Sequence, residues 1–251
     1  KLEENVLKMR ELQAKLYAHN RYSLLIIFQA MDAAGKDGAI KHVMSGLNPQ
    51  GCMVFSFKQP SQKELDHDYL WRIHRSTPER GRIGIFNRSH YEEVLVVRVH
   101  DLIKKQKLPL SVINDNIWKQ RYRQITDFEK HLSENGTVVL KFFLHLSKEE
   151  QKKRFLSRID NPSKNWKFSE ADLKERNHWE SYQKCYEEAI SATSKKFSPW
   201  YIIPADKKWF ARLAISEIIV KTMDQMKIKY PQLKEEQLKL LQEYREKLLK
   251  E

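Results

Sequence analysis

Short, almost continuously apolar runs alternate along this chain with longer amphipathic stretches. The apolar runs are 23–31 (SLLIIFQAM), 53–57 (MVFSF), 83–86 (IGIF), 138–144 (VVLKFFL) and 200–203 (WYII). Such runs are typical of strands buried on both faces of a parallel sheet. Helices are predicted between them, over 36–47, 66–74, 111–132, 147–159, 169–193 and 209–227. The alternation implies βαβ crossovers, so we predict an α/β fold with a doubly wound parallel sheet and helices on both faces.

Two more helices are predicted at the ends of the chain. Apolar residues recur at helical spacing over 1–19, which indicates an amphipathic helix that lies against the body or a partner subunit. The tail, 234–251, is rich in charge and carries leucines on one side, which favours packing locally or on a second subunit. The polar segment 160–168 is either the tip of a helical hairpin that closes over a site or an ordinary loop. These elements fit one domain over 1–251.

The charge of the chain narrows the range of partners. Lys and Arg number 46 against 33 Asp and Glu, which gives a net charge of +13. Such a surface attracts anions, among them nucleic acid, acidic lipid, nucleotides and inorganic polyanions, or it simply keeps the protein soluble. The two cysteines, Cys52 and Cys185, have no metal-ligand spacing, so neither disulfides nor a zinc site is indicated. Without a signal pattern or an apolar run of about 18 residues, we expect a cytoplasmic protein with no membrane partner.

The segment QAMDAAGKDG, residues 29–38, follows the first apolar run. Gly35 and Lys36 match the end of a Walker-type phosphate loop, but Ala30 replaces its first glycine and Asp37 replaces its hydroxyl residue. The carboxylates of Asp32 and Asp37 would repel phosphate unless a cation intervened, which argues for Mg²⁺. The alternative is a plain strand-to-helix turn in which Asp37 only favours the helix dipole.

A second phosphate-competent element follows the third apolar run. Asn87 stands where P-loop proteins keep a metal-binding aspartate. The next residue, Arg88, is suited to grip phosphate oxygens with two hydrogen bonds. The alternative for Arg88 is a surface salt bridge to Glu92 at helical spacing. Two such elements at neighbouring strand ends indicate a phosphate site more strongly than either one alone.

At this point the sequence resembles the polyphosphate kinase 2 family. The residues that carry the resemblance are 32–38 (DAAGKDG), 47–51 (LNPQG), 86–100 (FNRSHYEEVLVVRVH), 165–168 (NWKF) and 204–212 (PADKKWFAR). The form of the 86–100 segment is similar to that of the subgroup that phosphorylates both AMP and ADP. The resemblance implies a P-loop kinase fold akin to thymidylate kinase, Mg²⁺ dependence and transfer of the terminal phosphoryl group of inorganic polyphosphate to AMP or ADP. It also implies a helical lid at about 158–189 and assembly into homodimers or homotetramers.

Roles for individual residues follow from the motifs and the resemblance together. The predicted catalytic residues are Asp32, Lys36, Arg88 and Arg158. The predicted phosphate-binding residues are Ala34, Gly35, Lys36, Asp37, Gly38, Lys58, Arg88 and Arg98. Nucleotide binding is assigned to Asn87, Arg88 and Glu92, and metal binding to Asp32 and Glu93. Many relatives carry Asp where this chain has Asn87, so Asp32 and Glu93 are expected to take more of the metal-ligand role.

Other residues have two open interpretations. Lys41, His42, Lys58 and Arg98 are either a track for a long phosphate chain or solvated surface. The aromatic residues Trp166, Phe168 and Trp179 either pack on adenine or close the lid. His90 is expected to be structural, because an acceptor phosphate with a second pKa of about 6 is already largely ionised and needs no strong general base.

Two other functions compete with this interpretation. An ATP-dependent nucleotide kinase of the thymidylate kinase-like type would use the same fold, and the excess positive charge favours an inorganic polyanion as donor only mildly. A non-catalytic nucleic-acid-binding module would use the basic and aromatic segments around 164–168 and 207–210. That role needs no phosphate loop, so we expect AMP, ADP, ATP and polyphosphate rather than nucleic acid as partners.

Overall fold

A computed structural model describes residues 1–251, and a single parallel sheet lies at its centre. Its strands are β1 Ser23–Ala30, β2 Cys52–Ser56, β3 Ile83–Asn87, β4 Thr137–His145 and β5 Trp200–Pro204, in the spatial order β2-β3-β1-β4-β5. From β1 the chain runs to the edge strand β2 and returns through β3. It then crosses to β4 on the other side of β1. This reversal of direction opens a crevice beyond the carboxyl ends of the strands, where ligands bind in open α/β sheets.

Helices cover both faces of the sheet. They are α1 Leu2–His19, α2 Lys36–Val43, α3 Gln62–Leu65, α4 Trp71–His74, α5 Val96–Val99, α6 Ile117–Glu134, α7 Lys148–Ile159, α8 Glu170–Asn177, α9 Trp179–Thr193, α10 Lys208–Gln225 and α11 Glu235–Leu248. None of them combines the length and the apolar character needed to cross a bilayer.

Strand β1 is buried along its whole length because alternate side chains enter different cores. Leu24 and Ile26 belong to a core that α1, α2 and α10 complete. Leu25 and Ile27 belong to a second core on the opposite face, beside α6 and α9. Burying one such side chain is worth about 1.5–3 kcal/mol. A strand fixed from both faces holds the loop after it in a defined place.

The predicted fold class is confirmed, and all five predicted strands lie within one residue of the observed bounds. The helix predicted over 66–74 is wrong, since only the short helix α4 forms within that range and α3 ends before it. Between them the carboxylate of Asp68 accepts a hydrogen bond from the Leu70 N–H at 2.9 Å, a local turn that competes with a helix.

Three further helices have other bounds than predicted, and the first of them, α2, ends at Val43 rather than at 47. Helix α6 begins at Ile117 rather than 111, because the side chain of Asn114 accepts from the Asn116 N–H at 2.9 Å and forms a turn. The helix predicted over 169–193 is two helices, α8 and α9, separated at His178. Helix α9 packs into the second core, whereas α8 has no buried residue. Of the segment 158–189 predicted as a lid, the part from Trp179 onward thus belongs to a helix packed in the second core.

Candidate active site

A cavity of about 850 Å³ lies at the carboxyl ends of all five strands. Its lining carries nine Lys and Arg side chains against three Asp side chains, an excess of six positive charges. The cations are Lys36, Lys58, Arg88, Arg154, Arg158, Lys164, Lys167, Lys208 and Arg212, and the acids are Asp32, Asp37 and Asp172. Burial lowers the pKa of Lys208, and the neighbouring cations lower it further. A cleft with one dominant sign of charge concentrates ions of the opposite sign, here anions.

The loop between β1 and α2 presents backbone N–H groups to this cavity. Gly35 caps α2 with φ +100°, a left-handed conformation that favours glycine. A Cβ there would lie 3.6 Å from Nη1 of Arg154, an ordinary contact, so the backbone conformation and not space requires glycine. The first helical hydrogen bond runs from the Ala39 N–H to the Gly35 carbonyl at 2.8 Å. The N–H groups of Gly35 to Gly38 precede it and remain available to an anion.

Lys36 is held at the end of β1. Its Nζ donates a hydrogen bond to the Ala30 carbonyl at 3.0 Å. Burial lowers the pKa of the Lys36 ammonium, and the positive charge of Arg88 lowers it further, while Asp32 opposes both effects. The lysine of the phosphate loop is therefore placed beside the cavity before any ligand arrives.

Arg88 joins the end of β3 to the first loop. Its Nη2 lies 3.2 Å from Oδ1 of Asp32 and its Nη1 lies 3.9 Å from Oε2 of Glu92. Burial disfavours the charged guanidinium, but Glu92 and Asp32 outweigh it and raise the pKa of Arg88. The predicted Glu92 salt bridge is present, and Arg88 also lines the cavity. Its φ of 64° is unusual for a non-glycine residue and costs roughly 1–2 kcal/mol, so the packing around the turn must impose it.

The oxygen ligands in the cavity fit a divalent cation that is shared with a substrate. No cluster of three or more His, Cys, Asp and Glu side chains forms a complete metal site. Asp32 and Asp37 nevertheless both line the cavity, and Oδ1 of Asp37 accepts a hydrogen bond from Nδ2 of Asn87 at 2.7 Å. Mg²⁺ usually takes one or two carboxylates and completes its shell with water and phosphate oxygens. The donor set present here suits that mode of binding.

Three predicted site residues need correction, because their side chains do not line the cavity. Glu93 is buried, and Nε of Arg121 lies 2.9 Å from its Oε1, so it is not available as a metal ligand. Arg98 donates to Glu188 at 2.6 Å and to the Tyr122 hydroxyl at 2.7 Å, so its guanidinium is paired outside the cavity. Glu92 pairs with Arg88, with 3.9 Å between its Oε2 and Nη1, and burial raises the pKa of its carboxyl.

Most of the other predicted residues line the cavity, and a few lie outside it. The cavity lining includes Asp32, Ala34, Gly35, Lys36, Asp37, Gly38, Lys58, Asn87, Arg88, Arg158 and Trp166. Lys41 and His42 lie outside it. Phe168 packs edge-on against Phe155 at 6.2 Å, and Trp179 is buried in the second core.

His90 lies in the core, apart from the cavity. Its Nε2 is 3.3 Å from Oε1 of Glu129, and both side chains are fully buried. Oε2 of Glu129 lies 2.5 Å from Nζ of Lys141. Burial lowers the pKa of His90. A buried histidine in this network has a structural role.

Sequence reasoning missed Arg154, which organises the cavity floor. Its Nη1 donates to the carbonyls of Ala33 and Ala34 at 3.0 and 2.9 Å. Its Nη2 donates to the carbonyls of Ala205 and Asp206 at 2.7 and 3.0 Å. One guanidinium thus ties the loop after β1 to the loop after β5. In the sequence it is one of several cations on a charged helix, and nothing marks it as buried.

Comparisons with known proteins find similar sequences and a similar fold. The family model described as Polyphosphate kinase 2 (PPK2) matches residues 1–231. An ADP-polyphosphate phosphotransferase of Rhodopseudomonas palustris is 56% identical over 251 residues, 99% of this chain and 87% of that protein. An AMP/ADP-polyphosphate phosphotransferase of Meiothermus ruber is 48% identical over 225 residues, 90% of this chain and 80% of that protein. The crystal structure of polyphosphate kinase 2 from Arthrobacter aurescens superposes with a TM-score of 0.86 at 40% identity, covering 92% of this chain and 80% of that one.

Proposed function

The chain belongs to the polyphosphate kinase 2 family, and from that membership we infer that it transfers the terminal phosphoryl group of inorganic polyphosphate to AMP and ADP, giving ADP and ATP reversibly. Two relatives that match it over most of their length carry this chemistry in their names. The observation that carries the proposal is the cavity at the strand ends, with its excess of six positive charges around a phosphate loop.

The charge excess answers a specific electrostatic problem. Donor and acceptor are both polyanions, and two like unit charges about 4 Å apart repel by roughly 4 kcal/mol at an effective dielectric near 20. Several cations must therefore surround the reacting groups before phosphorus can approach the attacking oxygen. Phosphoryl transfer depends mainly on such positioning and charge neutralisation.

We assign the donor side of the reaction to the first loop. Lys36 and the N–H groups of Gly35 to Gly38 would hold phosphate oxygens and stabilise charge on the transferred group. Arg88, fixed by Asp32, would bind the oxygens of the acceptor. Asp32 and Asp37 would hold Mg²⁺, which would neutralise part of the charge on the phosphate groups.

The acceptor needs little help with proton transfer. The terminal phosphate of AMP or ADP has a second pKa of about 6 and is largely ionised at neutral pH. The cavity accordingly needs no general base, and no histidine lines it.

We propose that residues 158–178 act as the lid of a single catalytic domain. Nη1 of Arg158 lies 3.4 Å from Oδ2 of Asp172, and both side chains line the cavity. Trp166, with 77% of its surface exposed, lies at the mouth, where it can cover a bound nucleotide. We also propose that the protein is cytoplasmic and that it forms a homodimer or homotetramer. Light scattering of the purified protein would measure the number of subunits.

The deciding experiment incubates purified protein with Mg²⁺, long-chain polyphosphate and either AMP or ADP, and separates the nucleotides by chromatography. We expect ADP from AMP and ATP from ADP. No product with either acceptor would refute the proposal. Faster phosphorylation of AMP with ATP than with polyphosphate as the donor would favour the ATP-dependent kinase instead.

A further inference from the structure

We propose that Gln151 and Arg176 form a relay through which the lid helix α8 sets the position of the Asp32 loop, which makes both of them positioning residues for phosphoryl transfer. The inference rests on the proposed function for its kinetic consequences. Its structural consequence can be measured without any turnover. Neither side chain lines the cavity, so both must act through other groups.

The first contact of the relay joins α7 to the loop after β1. Gln151 lies on α7 and is 1% exposed. Its Nε2 donates to the backbone carbonyl of Asp32 at 2.9 Å. Because Gln151 is buried, water cannot replace the Asp32 carbonyl as its partner. The Gln151 amide is therefore satisfied only while the Asp32 carbonyl stays in its present position.

The second contact joins Gln151 to the lid. Nη1 of Arg176, on α8, donates to Oε1 of Gln151 at 2.8 Å and to the Lys148 carbonyl at 2.8 Å. A glutamine side chain has one acceptor end and one donor end. With the acceptor end held by Arg176, the donor end is directed at Asp32.

The contact of Gln151 with Asp32 is one of several that join α7 to the loop. Gln151 binds the carbonyl of Asp32, and Arg154, three residues further along the same helix, binds those of Ala33 and Ala34. Residues three apart lie on one face of a helix. In a planar trans peptide the carbonyl and the next N–H point in opposite directions. Holding these carbonyls toward α7 therefore turns the N–H groups that follow them away from α7.

Helix α8 is held by a small number of side-chain contacts, among them those of Glu175 with His100 at 2.9 Å and with the Tyr182 hydroxyl at 2.6 Å. None of its residues is buried, and Arg158–Asp172 is the other side-chain link to α7. If α8 moves away, Arg176 leaves Gln151, whose amide is then free to rotate and release the Asp32 carbonyl. Docking of the lid and correct placement of Asp32 thus become one event, and a lid that is open leaves the loop less ordered.

The test compares Arg176→Ala and Gln151→Ala with a control on the same helix, Lys174→Ala. Lys174 is exposed and pairs only with Glu170 on the surface. We expect the two relay variants to lower kcat by about tenfold to a hundredfold with little change in KM for polyphosphate, as a small misplacement of a reacting group does. Hydrogen exchange of the amides at 31–38, measured without substrate, should be faster in both variants and unchanged in Lys174→Ala. Unchanged exchange at 31–38 in folded Arg176→Ala would overturn the proposal.

Gln151→Glu separates the two halves of the relay. A carboxylate keeps and strengthens the contact to Arg176, but it cannot donate to the Asp32 carbonyl. The relay predicts faster exchange at 31–38 and a low kcat with thermal stability retained, whereas a purely structural lid contact predicts wild-type behaviour. Combining Gln151→Ala with Arg176→Ala should lower kcat no further than either change alone, and additive losses would contradict a single relay. Because exchange is read without turnover, failure of the relay and failure of the proposed function give different results.

Discussion

The side-chain amide of Asn87 donates a hydrogen bond to the carboxylate of Asp37 at 2.7 Å. This contact joins the end of β3 to the first turn of α2, the two elements that carry the phosphate-binding groups. It also uses a neutral donor where an aspartate would bring a second negative charge. The metal requirement of this site should therefore depend on residue 87.

Asn87→Asp is expected to increase the affinity for Mg²⁺. The change removes the hydrogen bond to Asp37 and places two carboxylates at close range, and a divalent cation relieves their repulsion. One added negative charge is worth about 1–4 kcal/mol to a nearby cation, depending on the dielectric. Titration of activity with Mg²⁺ should show half-saturation at a concentration roughly tenfold lower. An unchanged titration curve would mean that residue 87 lies outside the metal's reach.

Lys36→Ala should abolish most turnover while the protein stays folded. The change removes the lysine of the phosphate loop, and loss of one group that stabilises developing charge costs about a hundredfold to a thousandfold in kcat. Initial rates with polyphosphate and ADP measure the effect. Lys221→Ala, an exposed lysine on α10 away from the cavity, is the matched control. Near-normal rates for Lys36→Ala would show that the active site is assigned wrongly.

Arg154→Lys should destabilise the protein although it conserves the charge. A lysine cannot satisfy four carbonyls on two loops, and each buried acceptor left without a partner costs about 1–3 kcal/mol. We expect a loss of about 3 kcal/mol in the free energy of unfolding, since the effects of neighbours are not additive. Urea unfolding measures it, with Lys153→Arg, exposed on the same helix, as the control. Equal stability of wild type and Arg154→Lys would contradict the conclusion that Arg154 holds the two loops together.

His90 should make the stability depend on pH below neutrality. Burial lowers its pKa in the folded protein below its ordinary value of 6.5, so the unfolded chain takes up a proton that the folded chain resists. Stability is then complete above pH 6.5 and falls as the pH drops toward the folded pKa, with a limiting slope of about 1.4 kcal/mol per pH unit. Urea unfolding at pH 7.5, 6 and 5 follows this, and His90→Gln should flatten the curve. A wild-type curve without slope would show that His90 titrates normally.

Much of the fold could be predicted because its signals are local. The run at 23–31 is apolar on both faces, and only a strand between two layers of helices buries such a run completely. The loop that follows could be interpreted for the same reason, since Gly35 and Lys36 stand in sequence where the strand must end. Their positions depend on a few neighbouring residues and not on distant contacts.

The misassignments have a different origin. Glu92 and Glu93 are adjacent, but the 3-10 turn His90–Val94 directs the first toward Arg88 and the second into the core beside Arg121. No periodicity in so short a turn reveals this. Arg154 was missed because its partners are backbone carbonyls from two distant loops, and backbone acceptors leave no trace in the sequence.

The crowding of cations around the cavity has a thermodynamic consequence. When no anion is bound, the excess of six positive charges in the lining is not neutralised, and the repulsion among these cations subtracts from the stability of the folded chain. A phosphate chain, or even simple sulfate, relieves the repulsion and binds only the folded form, so the melting temperature should rise with its concentration. The substrate is thus also a stabiliser of the enzyme, and a cell that has consumed its polyphosphate would hold this protein in its most heat-sensitive form.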